Sequence, residues 1–220
     1  MQETIRATSV TGDAIAACAA VLRAGQPVIV PTDTVYGIAA AALDEAAVGR
    51  LYDAKGKERT APLQLLFGRS TEAMARFAVI NEPAQRLIDA LGPGGWTIIV
   101  EAAPGWESAA LAGGATVGVR MPDAPAIHAL VEALGQPLAA SSANRHGGPS
   151  PRTCAEALEQ VGERCGFALD GGPTAAGLDS TIIDCTGATL RILREGAIDR
   201  HEVARILGMS GIPVIRSIRP

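Results

Sequence analysis

The sequence has 220 residues, a formal net charge of −4 and a hydrophobic fraction of 48%. This balance is typical of a globular chain that can bury a sizeable core, and it disfavours disorder. The net negative charge and the small aromatic content (two Trp, two Tyr and three Phe) disfavour a generally basic protein that stacks nucleic-acid bases.

The cysteines and the apolar segments indicate the compartment. Cys18, Cys154, Cys165 and Cys185 form no C-x-x-C pair and complete no zinc-ligand spacing. Residues 1–6 lack the apolar run of a signal peptide, and no stretch approaches the ~20 apolar residues of a membrane span. We therefore expect a cytoplasmic protein with reduced thiols and no membrane partner.

Helix and strand signals alternate along the chain. Apolar spacing, caps and terminal glycines predict helices over residues 12–22, 44–55, 83–91, 125–134, 153–161 and 199–207, with another helix opening at Ser70. Short apolar runs predict strands over residues 27–30, 63–67, 97–100, 116–121, 138–140, 167–170, 181–184 and 190–193. This alternation predicts an α/β layered domain with a mixed sheet, spanning residues 1–208 and followed by a tail at 209–220.

Polar residues cluster where these predicted elements end. In residues 31–37, Thr32 and Thr34 are two apart and would face the same way in extended backbone. This spacing alone favours a solvated turn over a binding site. Residues 55–59, K-G-K-E-R, follow a helix, where basic residues favour the dipole or bind phosphate or carboxylate.

Two further segments carry stronger signals. In residues 116–120, T-V-G-V-R, the period of two packs the valines inward and directs Arg120 across a crevice or to solvent. Residues 141–151, S-S-A-N-R-H-G-G-P-S-P, combine hydroxyls, glycines and a following helix start, the ingredients of an anion site. Arg194 ends a strand and fits either a crevice or a salt bridge.

Several catalytic signatures are absent from the sequence. It contains no P-loop, no G-x-G-x-x-G fingerprint and no G-x-S-x-G elbow. His128, His146 and His201 are expected at the surface or at helix caps rather than as general bases.

Read together, the segments resemble the YrdC-type family of threonylcarbamoyl-AMP synthases. The matching strings span residues 31–198: PTDTVYG, KGKERTAPLQLL, GPGGWTIIV, TVGVRMPDAP, SSANRHGGPSP, DSTIID and LREGAI. The resemblance implies a twisted YrdC/RibB-like mixed sheet flanked by helices, with a concave, positively lined face.

The resemblance also implies a nucleotidyltransferase reaction. ATP, L-threonine and bicarbonate or CO2 would give threonylcarbamoyl-AMP and pyrophosphate, with Mg²⁺ on the ATP phosphates. A separate transferase complex would then modify adenosine 37 of tRNAs that read codons beginning with A, and this chain would contact tRNA at most weakly.

The family's functional positions map onto residues of this sequence. The resemblance implies catalytic roles for Lys55, Lys57, Ser142 and Asn144. It implies threonine binding by Thr32 or Thr34, Arg120 and Ser180. It implies ATP binding by Lys57, Thr116, Ser142, Ser150 and Arg194, with Ser150 at a helix start. Lys57 stands where the family usually has arginine, and we expect Arg59 to compensate.

Three alternatives remain open from the sequence. One is an RNA-binding YrdC-like module without catalysis. Another is a carbamoyl-transfer relative that activates a different acceptor, although the chain lacks the extra domains and C-x-x-C pairs of the hydrogenase-maturation enzymes. The third is a degenerate paralogue that binds nucleotide without turning it over.

Overall fold

The sheet dominates the molecule. The structure is a computed structural model that describes residues 5–56 and 58–214. Within these ranges, eleven strands form one mixed sheet. The strands are Ala7–Ser9 (β1), Val28–Val30 (β2), Gly37–Ala41 (β3), Gln64–Leu66 (β4), Ala78–Val79 (β5), Trp96–Ala102 (β6), Thr116–Arg120 (β7), Leu138–Ser142 (β8), Phe167–Asp170 (β9), Thr181–Asp184 (β10) and Arg191–Arg194 (β11).

The order of the strands confirms a mixed sheet. It runs β1-β9-β2-β3-β8-β4-β7-β6-β10-β11, and β5 pairs separately with β6. The pairs β1–β9, β9–β2, β4–β7 and β6–β10 are parallel, and the others are antiparallel. The expected α/β fold with a mixed sheet is therefore confirmed.

Among the residues that the structure describes, six α-helices flank the sheet, and their ends follow the capping residues in the sequence. Thr11, Asp44 and Asn81 accept from backbone N–H groups of the first turns, and Gly56 and Gly135 end helices in the left-handed region. The helices are Gly12–Arg23 (α1), Glu45–Lys55 (α2), Glu82–Leu91 (α3), Pro125–Leu134 (α4), Cys154–Val161 (α5) and Arg200–Leu207 (α6).

The helices form two layers with separate cores. Leu65 and Leu66 are adjacent on β4, so they point to opposite faces, and they belong to different hydrophobic clusters. Helices α1 and α4 pack in the Leu66 cluster, and α2, α3, α5 and α6 pack in the Leu65 cluster. The sheet residues of the Leu66 cluster come from β2, β3, β4, β8 and β9. The same face is therefore left open over β7, β6 and β10.

Four local predictions are wrong or incomplete. The helix expected from Ser70 is only a 3₁₀ turn at Glu72–Arg76, because β5 begins two residues later. Strands β1, β3 and β5 were not predicted. The sequence of β3, G-I-A-A-A, is buried throughout, so it shows no alternation, and glycine and alanine disfavour strands.

The residues after α6 continue onto the sheet. The Ile192 N–H donates to Pro213 O at 3.0 Å, and Ile192 forms a parallel bridge with Val214. Residues 209–214 of the predicted tail thus pack beside β11, while 215–220 lie outside the described residues. The domain limit at residue 208 stays a prediction. None of the described helices is both long and apolar enough to cross a membrane.

Candidate active site

A cavity of about 270 Å³ lies over the open part of the sheet. Its floor is formed by residues of β4, β7, β6 and β10, which are neighbours in the sheet. As the period-two pattern predicts, Val117 and Val119 pack into the core and Arg120 lies on the opposite face, where it lines the cavity. The lining residues are Thr34, Val35, Pro62, Leu63, Gln64, Thr97, Ile99, Thr116, Gly118, Arg120, Ala140, Ser141, Ser142, Asp179, Ser180, Ile182 and Arg194.

One part of the cavity, the Arg120 end, is formed by Arg120 and the loop after β2. The Arg120 guanidinium is buried, and its Nη2 donates to Asp33 Oδ1 at 2.7 Å and to Thr34 Oγ1 at 2.8 Å. Burial lowers the pKa of Arg120 from its ordinary value, and the Asp33 carboxylate opposes that shift. The guanidinium stays charged because its ordinary pKa is so high. It is therefore a cation held in place before any ligand arrives.

The two threonines of this loop have different roles. The Thr32 hydroxyl donates to Val35 O at 2.6 Å and accepts from the Thr34 N–H at 3.2 Å. Because the single Thr32 proton is used, Thr34 must donate in the 3.0 Å contact between the two hydroxyl oxygens. Thr34 Oγ1 also accepts from Arg120, which leaves it a lone pair. Thr34 lines the cavity and Thr32 supports it from behind.

A second part of the cavity, the Arg194 end, has a matching arrangement around Ser180. The Thr97 hydroxyl donates to Gln64 Oε1 at 2.7 Å. Ser180 must therefore donate in the 2.9 Å contact between Thr97 Oγ1 and Ser180 Oγ. Arg194 Nη2 donates to Ser180 Oγ at 3.1 Å, and Arg194 Nε donates to the Ser180 carbonyl at 3.0 Å. Ser180, like Thr34, keeps a lone pair for a ligand.

Asp179 links two residues for which ATP binding was predicted. Its Oδ2 lies 3.5 Å from Arg194 Nη1, and its Oδ1 accepts from Ser150 Oγ at 3.0 Å. Burial lowers the pKa of Arg194, and Asp179 opposes that shift. Ser150 is not at a helix start as expected, because α5 begins at Cys154 with Thr153 as its N-cap.

Lys55 organises the loop after β8 from outside the cavity. Its ammonium is buried and donates to the carbonyl oxygens of Ser142 and Asn144, the second at 2.8 Å. It also lies 3.3 Å from Asn144 Oδ1, which accepts from Ser142 Oγ at 2.5 Å. Asn144 Nδ2 donates to Gly148 O at 2.8 Å. The lysine thus fixes the backbone that presents Ser142 to the cavity.

The cavity brings together six of the predicted site residues, namely Thr34, Thr116, Arg120, Ser142, Ser180 and Arg194. Thr32, Lys55 and Asn144 lie behind the lining, and Ser150 lies beside it through Asp179. Lys57 lies outside the described residues. Arg59 does not line the cavity as expected of a compensating residue, because it pairs with Asp53 of α2 at 3.4 Å.

Sequence reasoning missed Gln64, Thr97 and Asp179. Gln64 and Thr97 stand in predicted strands, where a polar residue usually indicates the side that faces solvent. Their contact crosses β7, and it is possible because Gly118 lies between them. A Cβ at Gly118 would lie 3.1 Å from Thr97 Cγ2 and 3.6 Å from Gln64 Cβ. The glycine between the two valines of this strand was the available signal of a close approach.

These observations define an α/β protein whose cavity offers two fixed cations, two hydroxyl acceptors and one carboxylate. The comparison with known families identifies it further. The family model Sua5_yciO_yrdC, described as "Telomere recombination", matches residues 20–196. The chain belongs to this Sua5/YciO/YrdC family, so the resemblance seen in the sequence is confirmed.

Similar proteins carry one recurring name. A Mycobacterium tuberculosis protein provisionally named threonylcarbamoyl-AMP synthase is 40% identical over 190 residues, which cover 86% of each chain. The threonylcarbamoyl-AMP synthase of Bacillus subtilis is 35% identical over 195 residues, covering 88% of this chain and 56% of that protein.

A solved structure shows the same fold. It is the crystal structure of Pyrococcus abyssi Sua5 complexed with L-threonine, which matches with a TM-score of 0.89 and 33% identity. The match covers 96% of this chain and 62% of that one. The chain thus spans nearly all of the mycobacterial relative but only about three fifths of the Bacillus and Pyrococcus proteins.

Proposed function

We propose that this chain is a threonylcarbamoyl-AMP synthase of the nucleotidyltransferase class. Its substrates are ATP, L-threonine and bicarbonate or CO2, and its products are threonylcarbamoyl-AMP and pyrophosphate. The observation that carries the proposal is one cavity whose polar floor is lined by both Arg120 and Arg194. The names of the mycobacterial and Bacillus relatives and the threonine complex of the Pyrococcus protein support it.

The Arg120 end suits the amino acid. A guanidinium has a planar set of donors that matches a carboxylate. Arg120 contacts Asp33 through Nη2 alone, at Oδ1. The threonine carboxylate would bind Arg120 beside Asp33, which brings the α-amine close to the Thr34 oxygen. Because Thr34 Oγ1 is an acceptor here, it orients an N–H of the amine and directs the nitrogen lone pair elsewhere.

The Arg194 end suits the nucleotide. The Arg194 side chain is 42% exposed, so a large anion can reach it, and Thr116 and Ser142 supply further polar groups. Phosphate oxygens would displace the Asp179 carboxylate, which holds both Arg194 and Ser150. The site contributes by positioning and charge stabilisation, and the proposal needs no protein nucleophile.

The chemistry follows from this placement. The threonine amine attacks the carbon of CO2, or of bicarbonate with loss of water, and loses a proton to give a carbamate. A carbamate oxygen then attacks the α-phosphorus of ATP. The bond from that phosphorus to the bridging oxygen breaks, and pyrophosphate leaves with the electron pair.

Magnesium is expected on the ATP phosphates rather than in a resident site. Within the described ranges, no group of three or more His, Cys, Asp or Glu residues could hold a metal ion. Mg²⁺ in nucleotide sites commonly takes one or two carboxylates and several phosphate oxygens. Asp179, a carboxylate in the cavity lining, fits that donor set. Bound Mg²⁺ would neutralise charge on the leaving pyrophosphate.

The product has a defined use under this proposal. An acyl-phosphate anhydride is an activated donor, so a separate transferase complex would carry the threonylcarbamoyl group to adenosine 37 of tRNA. This chain would meet tRNA weakly, if at all. We place the whole reaction in the cytoplasm, on the expectation of reduced thiols drawn from the sequence.

The test is pyrophosphate release by the full chain with ATP and Mg²⁺. We expect release that requires both L-threonine and bicarbonate. Release that is indifferent to threonine, or no release, would contradict the proposal. Salt-dependent RNA binding without turnover would instead favour the RNA-binding module, because phosphate contacts release counterions.

A further inference from the structure

The floor of the cavity carries a continuous chain of hydrogen bonds across four strands. It runs from Gln64 of β4 to Thr97 of β6, to Ser180 immediately before β10, and to Arg194 of β11. Thr97 and Ser180 are both buried, at 4% and 3% exposure. Their hydroxyls therefore form hydrogen bonds with each other and with groups in the cavity rather than with bulk water.

The direction of this chain is fixed by its first member. The Gln64 carbonyl oxygen can only accept, so it takes the one proton of Thr97. Thr97 Oγ1 can then only accept from Ser180, so the Ser180 proton is used in that bond. With Arg194 donating to it as well, Ser180 Oγ offers a ligand one lone pair and no proton.

The same logic operates at the other end of the cavity. There the backbone carbonyl of Val35 takes the proton of Thr32, which makes Thr34 an acceptor beside Arg120. Gln64 does for Ser180 what a backbone carbonyl does for Thr34. The difference is that Gln64 is a side chain, so substitution can remove its effect without breaking the main chain.

We propose that Gln64 and Thr97 are positioning residues that make Ser180 a hydrogen-bond acceptor for the side-chain hydroxyl of the amino-acid substrate. The inference rests on the proposed function. The carboxylate at Arg120 and the amine at Thr34 share one carbon, so the side chain is the part of threonine left to reach Ser180. A β-hydroxy amino acid satisfies the Ser180 lone pair, and an analogue without the hydroxyl leaves it unpaired.

The experiment compares L-threonine with L-2-aminobutyrate, which keeps the methyl group and lacks the hydroxyl. Sites that bind a substrate hydroxyl reject the analogue lacking it strongly, because buried polar groups stay unpaired. The variants are Thr97→Val and Gln64→Met, which remove the relay, and Thr97→Ser, which keeps it. Thr8→Val on the exposed strand β1 is the matched control.

We expect the preference of Thr97→Val and Gln64→Met for threonine over 2-aminobutyrate to fall by about tenfold, the worth of one oriented hydrogen bond. Their KM for threonine should rise by a similar factor while their KM for ATP stays within about twofold. Thr97→Ser should recover the preference, and Thr8→Val should not alter it. A merely structural role would raise both KM values together and leave the preference unchanged.

Two results would overturn the inference: an unchanged preference in Thr97→Val and Gln64→Met, or a Thr97→Ser variant that loses the preference. Failure of the proposed function is distinguishable, because the wild-type chain would then release no threonine-dependent pyrophosphate. Thermal unfolding of each variant separates loss of folding from loss of selectivity. If Thr97→Val unfolds, Thr97→Ser and Gln64→Met still decide the matter.

Discussion

The two ends of the cavity use the same parts in different surroundings. At each end an arginine donates to a hydroxyl and pairs with an aspartate. The Arg120 side chain is 3% exposed and sits 2.7 Å from its carboxylate, whereas the Arg194 side chain is 42% exposed and sits 3.5 Å from its own. A dry, preformed end suits a small amino acid, and a wetter, looser end suits a nucleotide that brings its own charge and water.

The difference in burial indicates a different role for each ion pair. A buried pair is costly to desolvate and sensitive to geometry, so Arg120 is expected to tolerate little change. An exposed pair contributes little to stability, so Asp179 can give up Arg194 to a phosphate at small cost.

Arg120→Lys should cause the largest loss. Lysine keeps the charge but loses the planar set of donors that holds Asp33 and Thr34 together. We expect kcat/KM for threonine to fall by about 100-fold, equal to the loss of one charge-assisted bidentate contact. Steady-state pyrophosphate release measures it.

The matched control is Arg191→Lys. Arg191 pairs with Asp184 at 2.5 Å on the β10–β11 hairpin, and neither of these two residues lines the cavity. This control should keep kcat/KM within about twofold. If kcat/KM fell equally in both variants, the loss of an ion pair would explain the effect, and the position of Arg120 in the cavity would not.

Lys55→Met should act on the loop rather than on one substrate. It leaves the carbonyl oxygens of Ser142 and Asn144 without their donor. Unsatisfied buried acceptors should lower the free energy of unfolding by about 2–3 kcal/mol. Chemical denaturation measures it, with Arg59→Met as the control, because Arg59 is exposed and pairs only loosely with Asp53. A stable Lys55→Met protein that fails only in turnover would instead assign Lys55 to the chemistry.

Arg194→Lys should have a moderate effect confined to the nucleotide. We expect the KM for ATP to rise by about tenfold, because lysine replaces the planar donor set that arginine offers to phosphate with a single point charge. The KM for threonine should change by less than about threefold. An ATP KM that does not move would contradict the assignment of this end to the nucleotide.

Asp184→Asn should have the smallest effect, and it should depend on pH. Burial raises the pKa of Asp184, but hydrogen bonds from Thr186 and Arg191 outweigh burial and lower it overall. A carboxyl whose pKa is lowered on folding stabilises the protein above its unfolded pKa, and that stabilisation is lost as the pH falls through the folded value. We expect Asp184→Asn to lose about 1 kcal/mol at pH 7, with the difference from wild type shrinking below about pH 4. A constant difference across this range would refute the ion-pair explanation.

The sequence patterns were enough to predict most elements, whereas the grouping of the site residues came from the resemblance to the family. Capping residues and terminal glycines set the helices correctly, because these signals are local. Alternation within β7 correctly put Val117 and Val119 on the core side and Arg120 on the other face, but it left open whether Arg120 faces a crevice or solvent. The strand β3 was missed because a small, fully buried strand has no alternation to detect.

The site residues that the sequence did not reveal are those held by contacts between residues far apart in the chain. Gln64 and Thr97 are 33 residues apart, and Thr97 and Ser180 are 83 apart, so no spacing rule brings them together. The same holds for the Asp179 carboxylate between Ser150 and Arg194. The assignment of Thr34 rather than Thr32 to the cavity also required the hydrogen bonds, because the two residues are equivalent by spacing.

The most direct test of the central claim is the mass of the product. The full chain would be incubated with ATP, Mg²⁺, L-threonine and carbon-13 bicarbonate, and the adenylate analysed by mass spectrometry. We expect threonylcarbamoyl-AMP that carries the labelled carbon between the threonine nitrogen and the phosphate. Threonyl-AMP without that carbon, or AMP with no adenylate intermediate, would contradict it.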